Sequence, residues 1–489
     1  MRKIEELKFD NTYRKLPEKF YHLVKPTPLK NPHLVCFNSD AGSLIDLDPN
    51  EAKKPDFIEY FSGHKLIPGS DPLAMYYTGH QFGVYNPDIG DGRAILLGEV
   101  RNSVDEKWDI HLKGSGRTHY SRIFDGRAVL RSTIREYLCS EAIHALGIPT
   151  TRALCIIGSD EKVERETTET GAMMLRMAET HVRFGSFEAF HYTDRPDYVK
   201  LLTDYVIEQN FPALFKEENK YYMFLEEAVN RTAKLIAKWQ SVGFTHGVMN
   251  TDNMSITGIT IDYGPYGFME EYEPEYTPNN SDHFGRYSFQ NQPAIALWNL
   301  NKLAQALGSI IPREKAQDAL EGFKNIYSQC FVELMSKKLG FKTARAEDVG
   351  LIKRLLDIMV TEKVDYTIFF RKLSNLISDT ADLNHDAVCM FEDKSGIEDW
   401  TASYKRRLRV ENSDDIERKR GMYLVNSKYI LRNYLAENAI RKAVNEADYS
   451  EINLLHKILQ DPFSEQSEFE EYAGPSPEWG RNLAISCSS

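Results

Sequence analysis

The stretch from Phe244 to Gly264, FTHGVMNTDNMSITGITIDYG, constrains this chain more than any other. It sets His246-Gly247, Asp252-Asn253 and Asp262 in a short span, separated by the apolar positions Met254, Ile256, Ile259 and Ile261. Apolar residues at that period predict two short strands turning near Thr257-Gly258. Such a hairpin sets Asn253 and Asp262 side by side at its open end, an amide oxygen next to a carboxylate. Hard oxygen donors in that arrangement suit Mg²⁺ or Mn²⁺ carrying a nucleotide's phosphates. Asp252 is then a free carboxylate beside a metal-bound phosphate, where a general base sits. Taken singly, Asp252 or Asp262 reads better as a turn cap; three ligand-type residues on one hairpin point to a site.

Protein kinases carry H-R-D-x-x-x-x-N followed by D-F-G, with the first Asp as base and the Asn and second Asp holding metal. Here His246 matches the His, Asn253 the Asn and Asp262-Tyr263-Gly264 the D-F-G, while Val248 stands at the base position. The metal pair is retained and the usual base is missing, which leaves Asp252 as the nearest replacement.

Upstream, the Gly-rich turn Asp88-Ile89-Gly90-Asp91-Gly92-Arg93 runs into the apolar strand 94–100. Glycines in such a turn let backbone N–H groups approach phosphate, although Gly90-Asp91-Gly92 alone reads better as a plain hairpin turn. Trp108, Ile110 and Leu112 alternate with Asp109, His111 and Lys113, which predicts a half-buried strand ending at Lys113. A helix follows over about 132–146, with Ile134, Leu138 and Ala142 on its apolar face and Gly147 and Pro149 ending it. Glu136 lies in its first turns, as the partner for Lys113 or as a solvated carboxylate. Strands are expected over 150–158 and 171–177, and Arg176 and Arg183 stand ready to grip phosphate oxygens, as arginine forks do. From about residue 195 the pattern turns helical, and a helix over 224–242 leads into the central stretch.

After Gly264 comes a long aromatic segment in the place of a kinase activation segment, then helical patterns over 293–310, 313–340, 347–361 and 365–378. The basic cluster in TASYKRRLRV reads as a solvated helix face, and YILRNYLAENAIRKAV as a further helix. Length favours two or three domains. The net charge of −12 argues against a non-specific nucleic-acid binder. No run of 18 apolar residues appears and the N-terminus is charged, so a cytoplasmic location with no membrane contact is expected. Six cysteines, Cys36, Cys139, Cys155, Cys330, Cys389 and Cys487, lack zinc or disulfide spacing, and most are expected as small buried hydrophobes. Cys487, in the terminal SCSS, is either an exposed redox-active thiol or part of an inert tail.

YTGHQFGVYNPDIGDGRAILLGE, LKGSGRTHYSRIFDGRAVLRSTIREYLCSEAIHALGIPTTRAL, FTHGVMNTDNMSITGITIDYGPYGF, YILRNYLAENAI and SCSS, in this order, resemble the SelO (YdiU) family over nearly the whole chain. The resemblance implies an α+β, protein-kinase-like bilobal fold: an N-terminal extension over 1–75, a β-rich N-lobe over 76–195, a mainly helical C-lobe over 196–395 and a C-terminal helical extension over 396–489. It also implies protein adenylylation, the transfer of AMP from ATP to Ser, Thr or Tyr hydroxyls with release of pyrophosphate, from an ATP bound in flipped orientation. UMP transfer with Mn²⁺ is a further family association. Carried over by residue, Lys113 contacts phosphates and pairs with Glu136, and Gly90, Gly92, Arg93, Asp125 and Gly126 line the nucleotide site. Arg176 and Arg183 hold phosphate, Asp252 is the base, and Asn253 and Asp262 bind Mg²⁺ or Mn²⁺. A monomer acting on protein substrates is expected.

Many relatives carry an activation-segment cysteine that pairs with the C-terminal one, but the matching position here is Pro278, and no cysteine lies between Asp262 and Gln292. The proline common before the YILRN helix is Ser427. The rival readings are a conventional protein or small-molecule kinase, and a non-catalytic nucleotide-binding scaffold.

Overall fold

A computed structural model of the chain describes residues 1–379, 385–481, 483 and 485. The runs of alternating and β-branched residues in the first 180 positions build one nine-stranded sheet in which every neighbouring pair is antiparallel. Its order is Tyr21–Leu23, Leu73–Met75, Ala94–Arg101, Lys107–Lys113, Thr168–Ala178, Arg152–Glu164 and His33–Phe37. Lys8–Phe9 adds beside Ala94–Arg101, and Ala128–Val129 beside Thr168–Ala178. The first 75 residues therefore supply four of the strands and are woven into the sheet.

One face of the sheet carries Ile95, Leu97, Ile110, Leu112, Leu175 and Met177 against Phe57 and Phe61. The opposite face of the strand Lys107–Lys113 departs from the half-buried expectation. Asp109, His111 and Lys113 alternate as read, yet they are 3%, 0% and 7% exposed. That face looks inward, toward the crevice between sheet and helices, and its polar groups are satisfied by one another and not by water.

The helix Leu130–Ala145 buries Ile134, Leu138 and Ala142, packs on the strands Arg152–Glu164 and Thr168–Ala178, and is followed by Gly147 at φ +74°. On its other side lie the helices Asn433–Glu446 and Ser450–Leu459. Arg135 Nη2 donates to the Tyr266 carbonyl at 3.1 Å, and the Tyr266 hydroxyl returns a bond to the Arg135 carbonyl at 2.7 Å. The Glu136 carboxylate is thus carried on an element gripped from the sheet, the C-terminal helices and the segment after Asp262.

The helical lobe centres on Lys220–Ser241, whose buried stripe includes Leu225, Ala228, Val229, Leu235, Ile236 and Trp239. It packs on Arg313–Lys338 and Gln292–Ala306. A separate core joins Asp348–Glu362, Tyr366–Leu373 and Lys394–Val410 through Leu355, Phe370, Trp400 and Tyr404. Within the basic cluster, Arg407 departs from a solvated helix face: it pairs with Asp348 at 2.6 Å and Glu411 at 2.7 Å and so fastens two helices together.

The predicted hairpin after Asn253 does not pair with itself. Met254, Ile256 and Ile261 are buried as their pattern requires, and Gly258 turns the chain at φ +71°. The backbone partners come from elsewhere: Phe184 N–H donates to the Met254 carbonyl at 2.9 Å, Ile256 N–H to Val182 at 3.2 Å, and Thr260 N–H to Pro149 at 2.9 Å. Two short arms fill their hydrogen bonds on flanking segments, an economy that local periodicity does not reveal.

Cys36, Cys139 and Cys155 are buried as expected, Cys330 is half-buried and Cys389 exposed, while Cys487 lies outside the described residues. Among the described residues no helix is long and apolar enough to cross a membrane.

Candidate active site

Between the sheet and the helical lobe lies a cavity of about 670 Å³. Gly90, Gly92, Arg93, Lys113, Asp125 and Gly126 line it from the sheet side. Arg176, Arg183, Asp252, Asn253 and Asp262 line the rest, with Val248 beside them. Glu136 is the one predicted site residue not on the wall; it stands behind Lys113 and holds it.

Lys113 ends its strand, and its Nζ makes a close ion pair with Glu136 Oε2 while standing 3.8 Å from Asp262 Oδ1. Arg176 Nη1 donates to Glu136 Oε1 at 3.1 Å and closely to Asp262 Oδ1. Arg183 Nη1 bonds closely to Asp262 Oδ2 and at 2.8 Å to the Asp252 carbonyl, with its guanidinium 4.3 Å from the Tyr77 ring centroid. Burial disfavours ionisation of Asp262, but Arg176, Arg183 and Lys113 outweigh it and hold the carboxyl well below the usual range. Asp262 also sits at φ +55°, a conformation costly for a residue other than glycine and kept here by the ring of cations.

The Arg93 guanidinium has no ion-pair or hydrogen-bond partner among the described residues. Four cations, Arg93, Lys113, Arg176 and Arg183, thus face the carboxylates of Glu136 and Asp262. The surplus positive charge in an acidic protein is what a polyphosphate neutralises.

Asp252 stands apart from this cluster. Gln81 Nε2 donates to its Oδ2 at 3.2 Å, while Oδ1 is buried with no partner among the described residues. Gly79 lies so close that a Cβ there would come within 2.7 Å of Oδ1. Burial, only partly offset by Gln81 and Arg183, pushes the carboxyl up to about 7. The residue before it, Thr251, is braced by Glu188 at 2.7 Å, which also faces His80 Nδ1 at 2.9 Å.

The Gly-rich turn differs from expectation in mechanism. Its N–H groups are spent internally: Gly90 on the Tyr77 carbonyl at 2.8 Å, Asp91 on Met75 at 3.0 Å and Gly92 on Gly90 at 2.8 Å. Glycine is required because Tyr120 presses on the turn. A Cβ on Gly90 would fall 2.4 Å from its ring, and one on Gly92 2.9 Å from its carbonyl oxygen. Gly126, at φ +73°, abuts the Gly116 carbonyl, and the Asp125 carboxylate is paired with Arg165 at 2.7 Å.

Asn253 donates Nδ2 to the Val248 carbonyl at 3.0 Å, which orients the amide and leaves its oxygen available. Asp262 also lines the cavity, so the two residues offer a set of oxygen donors there. Among the described residues no cluster of three or more His, Cys, Asp or Glu groups could hold a metal by itself. The set therefore fits a hard divalent ion that arrives with phosphate ligands of its own, as Mg²⁺ does.

Gln81, Asp91, His111 and Glu188 were not singled out by sequence reasoning. The only signal for His111 was its place on the same strand face as Lys113. Gln81 and Glu188 gave none, since their partners lie 171 and 63 residues away.

The family described as "Protein adenylyltransferase SelO" matches residues 3–460. The chain is similar to proteins named protein nucleotidyltransferase YdiU: 50% identical to that of Myxococcus xanthus over 489 residues, and 50% identical to those of Thiobacillus denitrificans and Pseudomonas entomophila over 490 residues, each covering 100% of both chains. With a kinase-like crevice whose usual base position is Val248, and with likeness running the full length, the chain belongs to the SelO family.

Proposed function

We propose that this protein transfers AMP from ATP to Ser, Thr or Tyr hydroxyls of other proteins and releases pyrophosphate. The observation that carries the reading is the division of labour in the crevice. A cation ring stands over Asp262, and Asp252, a carboxyl poised near neutrality, stands beside Asn253 where a kinase has no base. Lys113, Arg93, Arg176 and Arg183 bind and neutralise the triphosphate, and Glu136 orients Lys113. Asp252 takes the proton from the acceptor hydroxyl. The hydroxyl oxygen then bonds to the α-phosphorus as the bond from that phosphorus to the bridging oxygen breaks, and the electron pair leaves with pyrophosphate. Asn253 and Asp262 would hold Mg²⁺ or Mn²⁺, which supplies charge neutralisation at the phosphates when bound. Positioning and electrostatics of this kind provide most of the catalysis at phosphorus. The choice of the α-phosphorus is supported by the family description, since the crevice alone suits either end of the triphosphate.

The test is parallel incubation with α- and γ-labelled ATP, with Mg²⁺ or Mn²⁺ and a protein mixture. Label retained on protein from the α position only, and lost in Asp262→Ala, is the expected result; UTP in the same assay tests UMP transfer. Retention from the γ position only would replace the reading with a conventional kinase. Tight ATP binding with no retained label in either arm would leave a nucleotide-binding scaffold.

A further inference from the structure

Behind the arginine that meets Asp262 runs a buried chain of polar groups. The Nε–H of Arg176 donates to His111 Nδ1 at 3.1 Å. A ring nitrogen that accepts carries no proton, so the imidazole proton lies on Nε2, which faces Asp91 Oδ2 at 3.0 Å. The same Asp91 oxygen accepts the Met75 N–H at 3.1 Å. Asp91, His111 and Arg176 are 2%, 0% and 2% exposed. The His111 ring is clamped by a stack on His181, centroid to centroid 4.2 Å, and His181 is itself held by Asp109 at 3.1 Å. Asp91 belongs to the Gly-rich turn, and its carbonyl accepts the Thr118 hydroxyl at 2.6 Å.

We propose that Asp91 and His111 are positioning residues for the phosphate-binding arginine. They form a relay that grips Arg176 by its Nε edge and ties it to the glycine turn on the same side of the crevice. The proposal rests on the reading of this crevice as a nucleotide site. Its physical reason lies in what happens to Asp262. Arg176 Nη1 is restrained by Glu136 and Asp262, and were Asp262 to hold a nucleotide-borne cation, only Glu136, shared with Lys113, would remain. The His111 contact would stand outside that exchange, since it is made by Nε and not by Nη1. It is also a neutral acceptor, because burial and the nearby arginines keep the imidazole below its usual range despite Asp91. A second carboxylate at this point would compete with phosphate for the guanidinium, and a charged imidazole would repel it. Held in this way, the guanidinium keeps its orientation whether or not nucleotide is present.

A double-mutant cycle tests the relay. His111→Phe keeps the ring stack and removes both hydrogen bonds, and AMP transfer is expected to fall about 10- to 100-fold, the range for removing a group that orients a functional one. In an Arg176→Ala background the same change is expected to cost no more than about twofold, because its only route to the reaction is gone. Asp91→Asn, which retains an acceptor for Nε2–H, is expected to lose less activity than Asp91→Leu. Multiplying effects in the cycle, or unchanged turnover and KM for ATP in His111→Phe, would overturn the relay. If His111→Phe shows no cooperative melt, the Asp91 pair in both backgrounds gives the same cycle. The cycle is also read in the ATP dissociation constant by calorimetry. A wild type that binds ATP but transfers no AMP thus refutes the activity reading, while coupling or additivity in binding still decides for or against the relay.

Discussion

Asp252→Asn isolates the proton-accepting step. Asparagine has the shape of aspartate, and its amide oxygen can keep the 3.2 Å contact from Gln81. The change removes a buried charge whose Oδ1 has no partner among the described residues, so the variant should fold at least as stably as the wild type. A general base contributes roughly 10²- to 10⁴-fold to rate. Here the loss should fall toward the lower half of that range, because Lys113, Arg93, Arg176 and Arg183 still bind and polarise the triphosphate. A fall of about 10²- to 10³-fold corresponds to ~3–4 kcal/mol in the barrier, at 1.36 kcal/mol per decade. Initial rates of transfer from α-labelled ATP give turnover, calorimetry gives ATP affinity, and a thermal melt gives stability. The expected pattern is low turnover, unchanged affinity and an equal or higher melting temperature. Turnover within about twofold of wild type, or a loss of ATP affinity as large as the loss of rate, would remove Asp252 as the base.

Lys113→Ala should weaken both ATP binding and turnover. It should also destabilise the fold by about 3 kcal/mol in chemical denaturation, the low end for breaking a buried pair, since Arg176 remains 3.1 Å from Glu136. Lys338 makes a prediction about stability alone: it is 6% exposed, with its ammonium 4.4 Å from the Phe370 ring centroid and 5.4 Å from that of Tyr366, and burial lowers its pKa to about 7. A lysine depressed in the folded state binds fewer protons than in the unfolded one, so its penalty is full below about pH 7 and disappears as pH rises toward 10.5. That shift amounts to about 5 kcal/mol, and the cation–π contacts offset about 2 of it. Lys338→Met should therefore raise the melting temperature by several degrees at pH 7 and by little near pH 10; equal melting temperatures at pH 7 would refute the accounting.

What the sequence disclosed depended on whether the information was local. Lys113 and Glu136 were legible because strand alternation and helix periodicity fix which way each points, and both lead to one ion pair. Spacing brought Asn253 and Asp262 to notice, and both line the cavity, although the hairpin expected to set them side by side does not form. The arms around Gly258 were misread because their hydrogen bonds go to Val182–Phe184 and Pro149, which no local pattern announces. The strand of Asp109 and His111 was read as half-exposed for a related reason: a polar face packed against its own ion pairs alternates in sequence just as one facing water does. The N–H groups of the glycine turn looked free for a ligand until their own carbonyl partners and the Tyr120 ring were in view.

In many bilobal phosphotransfer folds the carboxylate-bearing helix swings to switch the site on or off. Here two C-terminal helices pack on that helix and the Arg135–Tyr266 clasp ties it to the segment after Asp262. Parting Glu136 from Lys113 by moving the helix would therefore break this packing as well as the ion pair.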